Sequence, residues 1–483
     1  MKQRLLLMAA ACAVVAMVAL PGGGCRPRAV GSQVDGDTSP ADGSPAAAPA
    51  EQAARSPQAA SAADWPPDRA WANWRGPGGL GIAFHAKLPR DWPSKVMQPI
   101  WRYKLGTGWS SPVVAGQRVF VTDRVGPTER LLAVSADSGK PLWHVSNPVD
   151  FEPHPVGRRH GNGPKSTPVV YDGKVYSLGI AGWLQCVEAR SGRVVWKMLL
   201  PKRFGKSQPL PGGKAHVNGT QNVIVPIGPG LGAPVPLFGY TGSPTVDGQR
   251  LILEVGGTQG GTVMAFDRTN GRPLWSALNE SVSYSSPIVA DLAGIRQVIV
   301  MTGPRVVGLR VDDGTLLWDH PFQIQYNESI STPTVAGDLV LVTGDSRPLT
   351  ALRIINRGDH WAQEVAWEND DLSSYLSSMV VAGKHVFGMN DDGQFVCIRL
   401  SDGKTVWLDG NHGFYCSPVL AGDRLLGLNE TGELAILKVD THRYHEPAVV
   451  EVANTPTWTV PAVIGRRMYL RSREGLRAFK LPR

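Results

Sequence analysis

The chain has 483 residues, 42% apolar, 19% charged and 7% aromatic, which is enough to bury a large core and too apolar for a chain disordered throughout. Gly at 55 positions and Pro at 39 favour many short strands and tight turns over long helices. The net charge of +8 is mild for this length, and no Lys/Arg run forms a stripe, which argues against a nucleic-acid partner.

Lys2 and Arg4 precede an uncharged run from Leu5 to Leu20 that ends at Pro21-Gly22-Gly23-Gly24-Cys25. This pattern reads as a secretory signal over residues 1–25, because the run is shorter than the roughly 20 residues a spanning helix needs. The small residues before Cys25 resemble the cleavage box of bacterial lipoproteins, although Gly22 stands where that box usually has Leu. The resemblance implies a lipid on Cys25 and an exported protein held at a membrane, the outer membrane being favoured. Residues 26–65, rich in Ala, Pro, Ser and Gly, are expected to be a disordered tether, with the folded region over 66–483. Cys186, Cys397 and Cys416 fall in different repeats and read as small core residues.

A repeated unit follows. It opens with Ser or Thr before Pro, continues through β-rich runs split by Gly turns, and ends in Gly-x-x-x-Trp. The endings are Gly139/Trp143, Gly192/Trp196, Gly271/Trp275, Gly314/Trp318 and Gly403/Trp407. The openings are Ser111-Pro112, Thr167-Pro168, Ser243-Pro244, Ser286-Pro287, Thr332-Pro333, Ser378-Met379, Ser417-Pro418 and Val460-Pro461. Repeated units of four short antiparallel strands predict an all-β, eight-bladed β-propeller. The last unit stops after its third strand, at Leu476–Leu481, so Ile100–Leu105 is expected to supply the missing fourth and close the ring.

Ala265-x-Asp267-x-x-Asn270-Gly271-x-x-x-Trp275 resembles the docking repeat of quinoprotein-type (PQQ-like) eight-bladed propellers over residues of about 100 to 483. The resemblance implies that Trp143, Trp196, Trp275, Trp318 and Trp407 pack one blade onto the next. It also implies two possible functions. One branch of the family holds PQQ and Ca²⁺ on the ring axis, usually beneath a disulfide of adjacent cysteines. The other, BamB-like lipoproteins, scaffolds outer-membrane protein assembly without catalysis. With no adjacent Cys pair, a short ring and a lipoprotein-like start, this chain is closer to the second, so the expected catalytic, metal and cofactor sites are none. Periplasmic PQQ/Ca-dependent oxidation is the alternative, and a carbohydrate-binding module a second one.

Other motifs read as loops. Gly228-x-Gly230-x-x-Ala233 has no strand-turn-helix around it, and Gly205-Lys206-Ser207 lacks the first Gly of a phosphate loop. His442 and His445 read as a solvated pair, and Asp312-Asp313-Gly314 and Asp391-Asp392-Gly393 as hairpin turns.

In a propeller the loops entering the innermost strands gather around the channel mouth. Three residues before the unit-start Pro stand Trp109, Tyr284, Tyr415 and Trp458, with Lys165 in the second unit. Arg124, Arg158, Arg159, Arg347 and Arg473 are expected on the same face, as are the insertions at 144–166 and 197–241. An aromatic floor with a basic rim would suit an envelope protein or an extended peptide bound by a single copy of the chain. The competing reading is that the aromatics only wedge between blades.

Overall fold

In the computed structural model the described residues are 70–93, 95–153, 155–201, 236, 238–256, 261–324 and 327–482. The expected signal and tether, Cys25, Gly205-Lys206-Ser207 and the Gly228 motif lie outside them. The described residues form eight antiparallel sheets arranged as a propeller. Blade 1 illustrates the unit, with strands Val113–Ala115, Arg118–Val125, Thr128–Ser135 and Pro141–Pro148 from axis to rim. Blade 8 has three C-terminal strands, Ala462–Ile464, Arg467–Ser472 and Gly475–Lys480, and takes its fourth from Trp101–Lys104. Trp101 stands opposite Ala478 and Lys104 opposite Gly475, so backbone pairing closes the ring as expected.

Two devices join the blades, and each explains one end of the repeat. At the outer end, the Trp indole of one blade lies against the Gly of the next. A Cβ added to Gly192 would sit 2.7 Å from Trp143, and one on Gly403 2.6 Å from Trp367. The Gly and Trp of one motif therefore serve different boundaries. Trp143 Nε1 donates to Ala189 O (3.2 Å), Trp196 to Arg268 O (2.9 Å), Trp275 to Val311 O (3.0 Å) and Trp407 to Asp440 O (2.7 Å). Trp101 and Trp367 do the same towards Ala136 O and Leu400 O. Trp318 differs. It packs with Val340, Val342 and Leu352 of blade 5, but its N–H stays in its own blade, on Gln297 Oε1 (2.7 Å). The third and fourth strands of blade 5 run on to Asn356 and Trp361, carrying their hairpin past the place where other blades offer a carbonyl.

At the inner end, the N–H of the unit-opening residue points sideways to the next blade at six boundaries. Ser111 N–H donates to Thr167 Oγ1 (3.0 Å), Thr167 to Ser243 Oγ (2.9 Å) and Ser243 to Ser286 Oγ (2.9 Å). Thr332 donates to Ser378 Oγ (3.0 Å), Ser378 to Ser417 Oγ (3.0 Å) and Val460 to Ser111 Oγ (3.0 Å). This belt is the physical reason the units open with Ser or Thr: a buried N–H needs an acceptor, and the neighbour's hydroxyl supplies it.

The channel itself is filled by residues 70–83. Ala70–Trp71 adds a fifth strand to blade 1, antiparallel to its innermost one, with Trp71 opposite Val114. Ile82 pairs parallel to Leu420 on the innermost strand of blade 7. All innermost strands run the same way, so the segment rises through the channel, reverses and descends. The reversal is Arg75-Gly76-Pro77-Gly78-Gly79-Leu80-Gly81, in which Gly76, Gly78, Gly79 and Gly81 all have positive φ, a region Gly enters without the Cβ penalty. Trp71 is 1% exposed and packs with core residues of blades 7, 8 and 1. Arg75 is fully buried, donating to Met379 O and to Gly79 O, and burial lowers its pKa to about 10. The plug also satisfies strand edges that would face an open channel: Val170 N–H bonds Ala72 O (2.7 Å) and Leu420 N–H bonds Gly81 O (2.8 Å).

Cys186, Cys397 and Cys416 are buried free thiols, and burial pushes the first two up to about 11 and about 12.

Candidate functional site

Above the plug, at the channel mouth, lies a cavity of about 140 Å³. A site for one water needs about 10–15 Å³, so this space holds a small organic group. Its wall has a simple origin in the repeat. The residue three before the unit-start position of Pro lines it in every blade: Trp109, Lys165, Thr241, Tyr284, Ile330, Leu376, Tyr415 and Trp458. The aromatic arc read from the sequence is thus part of a complete ring, standing one layer above the Ser/Thr belt. Thr241, Ile330 and Leu376 escape a search for aromatics because only their register, not their chemistry, marks them.

Further groups come from outside the repeat. Trp74, carried up by the plug, is the floor, its Nε1 donating to Thr332 Oγ1 (3.1 Å). The insertion after blade 1 forms a short 3-10 turn, Pro155–His160, that leans over the mouth. His160 packs on Trp458 (ring centroids 5.0 Å) and on Phe238 (6.0 Å), and its carbonyl accepts from Trp109 Nε1 (3.0 Å). Trp109 and Trp458 lie 5.2 Å apart across the boundary between blades 8 and 1, and Phe238 meets Tyr284 edge-on at 5.1 Å. The second insertion lies mostly outside the described residues.

Charge in the cavity is sparse. Lys165 Nζ reaches Gly161 O (3.4 Å) and Phe238 O (3.3 Å), and burial lowers its pKa to about 8 against the pull of Glu129. Glu328, on the far wall, accepts from Tyr375 Oη and is raised by burial. His160 is lowered to about 3 by burial and by Arg159 and Lys165, so it is neutral at pH 7.

The expected basic rim is not assembled at this wall. Arg124 is a buried strand residue, with Nη1 donating to Phe151 O (2.7 Å) and Asn162 O (3.0 Å), and it fastens the first insertion. Arg347 heads a third strand, 4.8 Å from the Phe322 ring, and Arg473 is exposed in the turn before the last strand. Neither lines the cavity, because hairpins between second and third strands stand one or two strand spacings, about 5–10 Å, further from the axis. Arg158 is exposed on the 3-10 turn, and Arg159 is close enough to Glu328 and Tyr375 to act on their protonation.

The alternative cofactor can be tested against these groups. PQQ carries three carboxylates, and Ca²⁺ takes 6–8 oxygen ligands. The cavity lining has one ammonium, already turned to two carbonyls, and one carboxylate, already holding a phenol. Among the described residues no three His, Cys, Asp or Glu side chains gather as a metal site would require. This donor set does not fit the pair. His442 is almost fully exposed beside Asp440, Asp313 accepts the Thr315 N–H in its own turn, and Asp391 accepts the N–H of Tyr375 from the preceding loop.

Eight blades, five of whose boundaries are docked by Gly against Trp, with a shaped cavity on the axis, define a PQQ-type propeller. The family model described as outer membrane protein assembly factor BamB matches residues 127–408, and the chain belongs to that family. The plug and the closing strand lie outside the match. BamB of Shewanella oneidensis is 26% identical over 154 residues, 30% of this chain and only 38% of that protein's length. BamB of Burkholderia pseudomallei is 24% identical over 296 residues, 50% of this chain and 77% of that protein. Among solved structures, BamB from Moraxella catarrhalis has a TM-score of 0.54 at 15% identity, covering 80% of this chain and all of that one. Quinohemoprotein alcohol dehydrogenase ADHIIG from Pseudomonas putida HK5 has 0.57 at 11%, covering 86% and 80%. At these identities the two structures speak to the fold alone.

Proposed function

We propose that the chain is an exported propeller of the cell envelope, lipid-anchored through Cys25, that binds a protein or extended peptide at the axial cavity and does no chemistry on it. Membership in the BamB family and relatives named for outer-membrane protein assembly support an envelope location and a protein partner. The observation that carries the reading is the ring of residues three before each unit-start position: all eight blades contribute to one shaped mouth, closed below by the chain's own Trp74. Aromatic rings around a recess are how peptide-binding hot spots are built. The fold likeness to a quinohemoprotein dehydrogenase supports a second reading as an oxidoreductase, which the donor set disfavours.

The test is affinity capture from envelope extracts with the full lipidated chain and with Trp109→Ala and Trp458→Ala. A partner held by the wild type and released by both folded variants supports the reading. Equal capture by both variants removes the cavity from it, and PQQ uptake with dye-linked alcohol oxidation replaces it with the second.

A further inference from the structure

The ligand class follows from which polar groups at the cavity are still in need of partners. Trp74 and Trp109 have placed their indole N–H groups on Thr332 Oγ1 and His160 O. Lys165 faces two carbonyls, Tyr375 holds Glu328, and Thr241 Oγ1 donates to Tyr284 O at 3.3 Å. The hydroxyl oxygens of Ser243 and Ser286 accept the belt N–H groups of Thr167 and Ser243. A sugar would bring several hydroxyls into a recess where the indoles of Trp74 and Trp109, the Lys165 ammonium and the Tyr375–Glu328 pair already have partners, and each hydroxyl left unpaired costs about 1–3 kcal/mol. A cation would meet Lys165 in the wall and Arg159 beside Glu328. An uncharged ring carries no charge and at most one N–H, a far smaller cost than several hydroxyls, and it gains edge and face contacts with Trp458, Tyr284 and Trp74. The size agrees, since an apolar cavity of about 150 Å³ engineered into another protein takes up benzene.

We propose that the cavity receives one uncharged aromatic ring, presented as the Trp or Phe side chain of an extended polypeptide. The proposal rests on the reading of the cavity as the binding site and names what it recognises. The ring enters between Trp74 below and His160 above, and the flanking peptide crosses the mouth beside the 3-10 turn.

Calorimetric titration of the full chain with capped Ala-Ala-Trp-Ala-Ala, capped penta-alanine, 5-fluoroindole, methyl α-glucoside and tetramethylammonium tests this. The Trp peptide is expected to bind at least tenfold tighter than penta-alanine and to displace 5-fluoroindole. Leu376→Trp and Ile330→Trp, which fill the cavity from its wall, should each weaken the Trp peptide at least tenfold while melting within a few degrees of the wild type. Displacement of 5-fluoroindole on the unmodified chain decides the matter if both variants fail to fold. Equal binding of the two peptides overturns the proposal, as does binding of the glucoside or tetramethylammonium as tight as that of the Trp peptide. Uptake of 5-fluoroindole without peptide binding also overturns it, leaving a site for free aromatic molecules. Trp-peptide binding with no partner captured from extracts would leave this inference standing and the envelope-scaffold reading without support.

Discussion

The backbone N–H of Val460 donates to Ser111 Oγ at 3.0 Å, joining the first residues of blade 8 and blade 1 across 349 positions of sequence. Both residues are 1% exposed. Ser111→Ala is therefore expected to strand a buried donor and lower stability by about 1–3 kcal/mol, while Ser111→Thr stays near the wild type. Urea unfolding checks this, and a loss below about 0.5 kcal/mol would mean that the belt contributes nothing at the closure.

Gly192 combines positive φ (+75°) with the Trp143 ring where a Cβ would go. Gly192→Ala should cost about 2–5 kcal/mol, from left-handed strain of about 1–2 kcal/mol and overpacking of about 1–3 kcal/mol. The companion Gly126→Ala, also at positive φ but with nothing within 4 Å, should show the strain alone. Equal losses at the two sites would remove the indole from the account.

Trp71 is a core residue of the channel although it precedes the repeats. Trp71→Ala should lose about 3–5 kcal/mol, as large core truncations do. A deletion of 70–83 should be worse, because it also uncovers the edges of innermost strands. A deletion variant with an unchanged melting temperature would show that the ring stands hollow.

Glu129 and Glu254 are buried carboxyls raised by desolvation from 4.5 to about 7 and about 8, with the Ile180 and Ser283 N–H groups opposing the shift. Lys165 and Arg124 also draw Glu129 down. A raised folded pKa means that the folded chain holds more protons than the unfolded one between 4.5 and 7 to 8, so these groups make stability fall as pH rises through that window. Glu129→Gln should flatten part of the fall, at about 1.4 kcal/mol per unit removed. Melting temperatures from pH 5 to 8 decide it, and an unchanged slope in the variant rejects the assignment.

Much of the ring was legible because strand phase survives in the repeat. A Ser/Thr before Pro, with Ser378-Met379 and Val460-Pro461 in the same register, fixes where each innermost strand starts, so counting back two places from it reaches the cavity wall in every blade. Chemistry marks that position only where an aromatic or, in the second blade, Lys165 stands, so Thr241, Ile330 and Leu376 carry no local signal. Trp367 was missed because Gln363, not Gly, stands four residues before it, whereas the glycine that matters, Gly403, belongs to the next blade. The plug had a visible signature in Trp71-x-x-Trp74-Arg75-Gly76-Pro77. Its path depends on which strand edges the closed ring leaves unpaired, and no local pattern encodes that.

Trp101–Lys104 and Gly475–Lys480 lie far apart along the chain yet share one sheet. A product cut short before that final strand would leave seven finished sheets splayed around an N-terminal segment with no flank to seal it. Its free margins would invite pairing with other chains and attack by proteases. Closure is thus a late event: the ring can seal only after Gly475–Lys480 has been made.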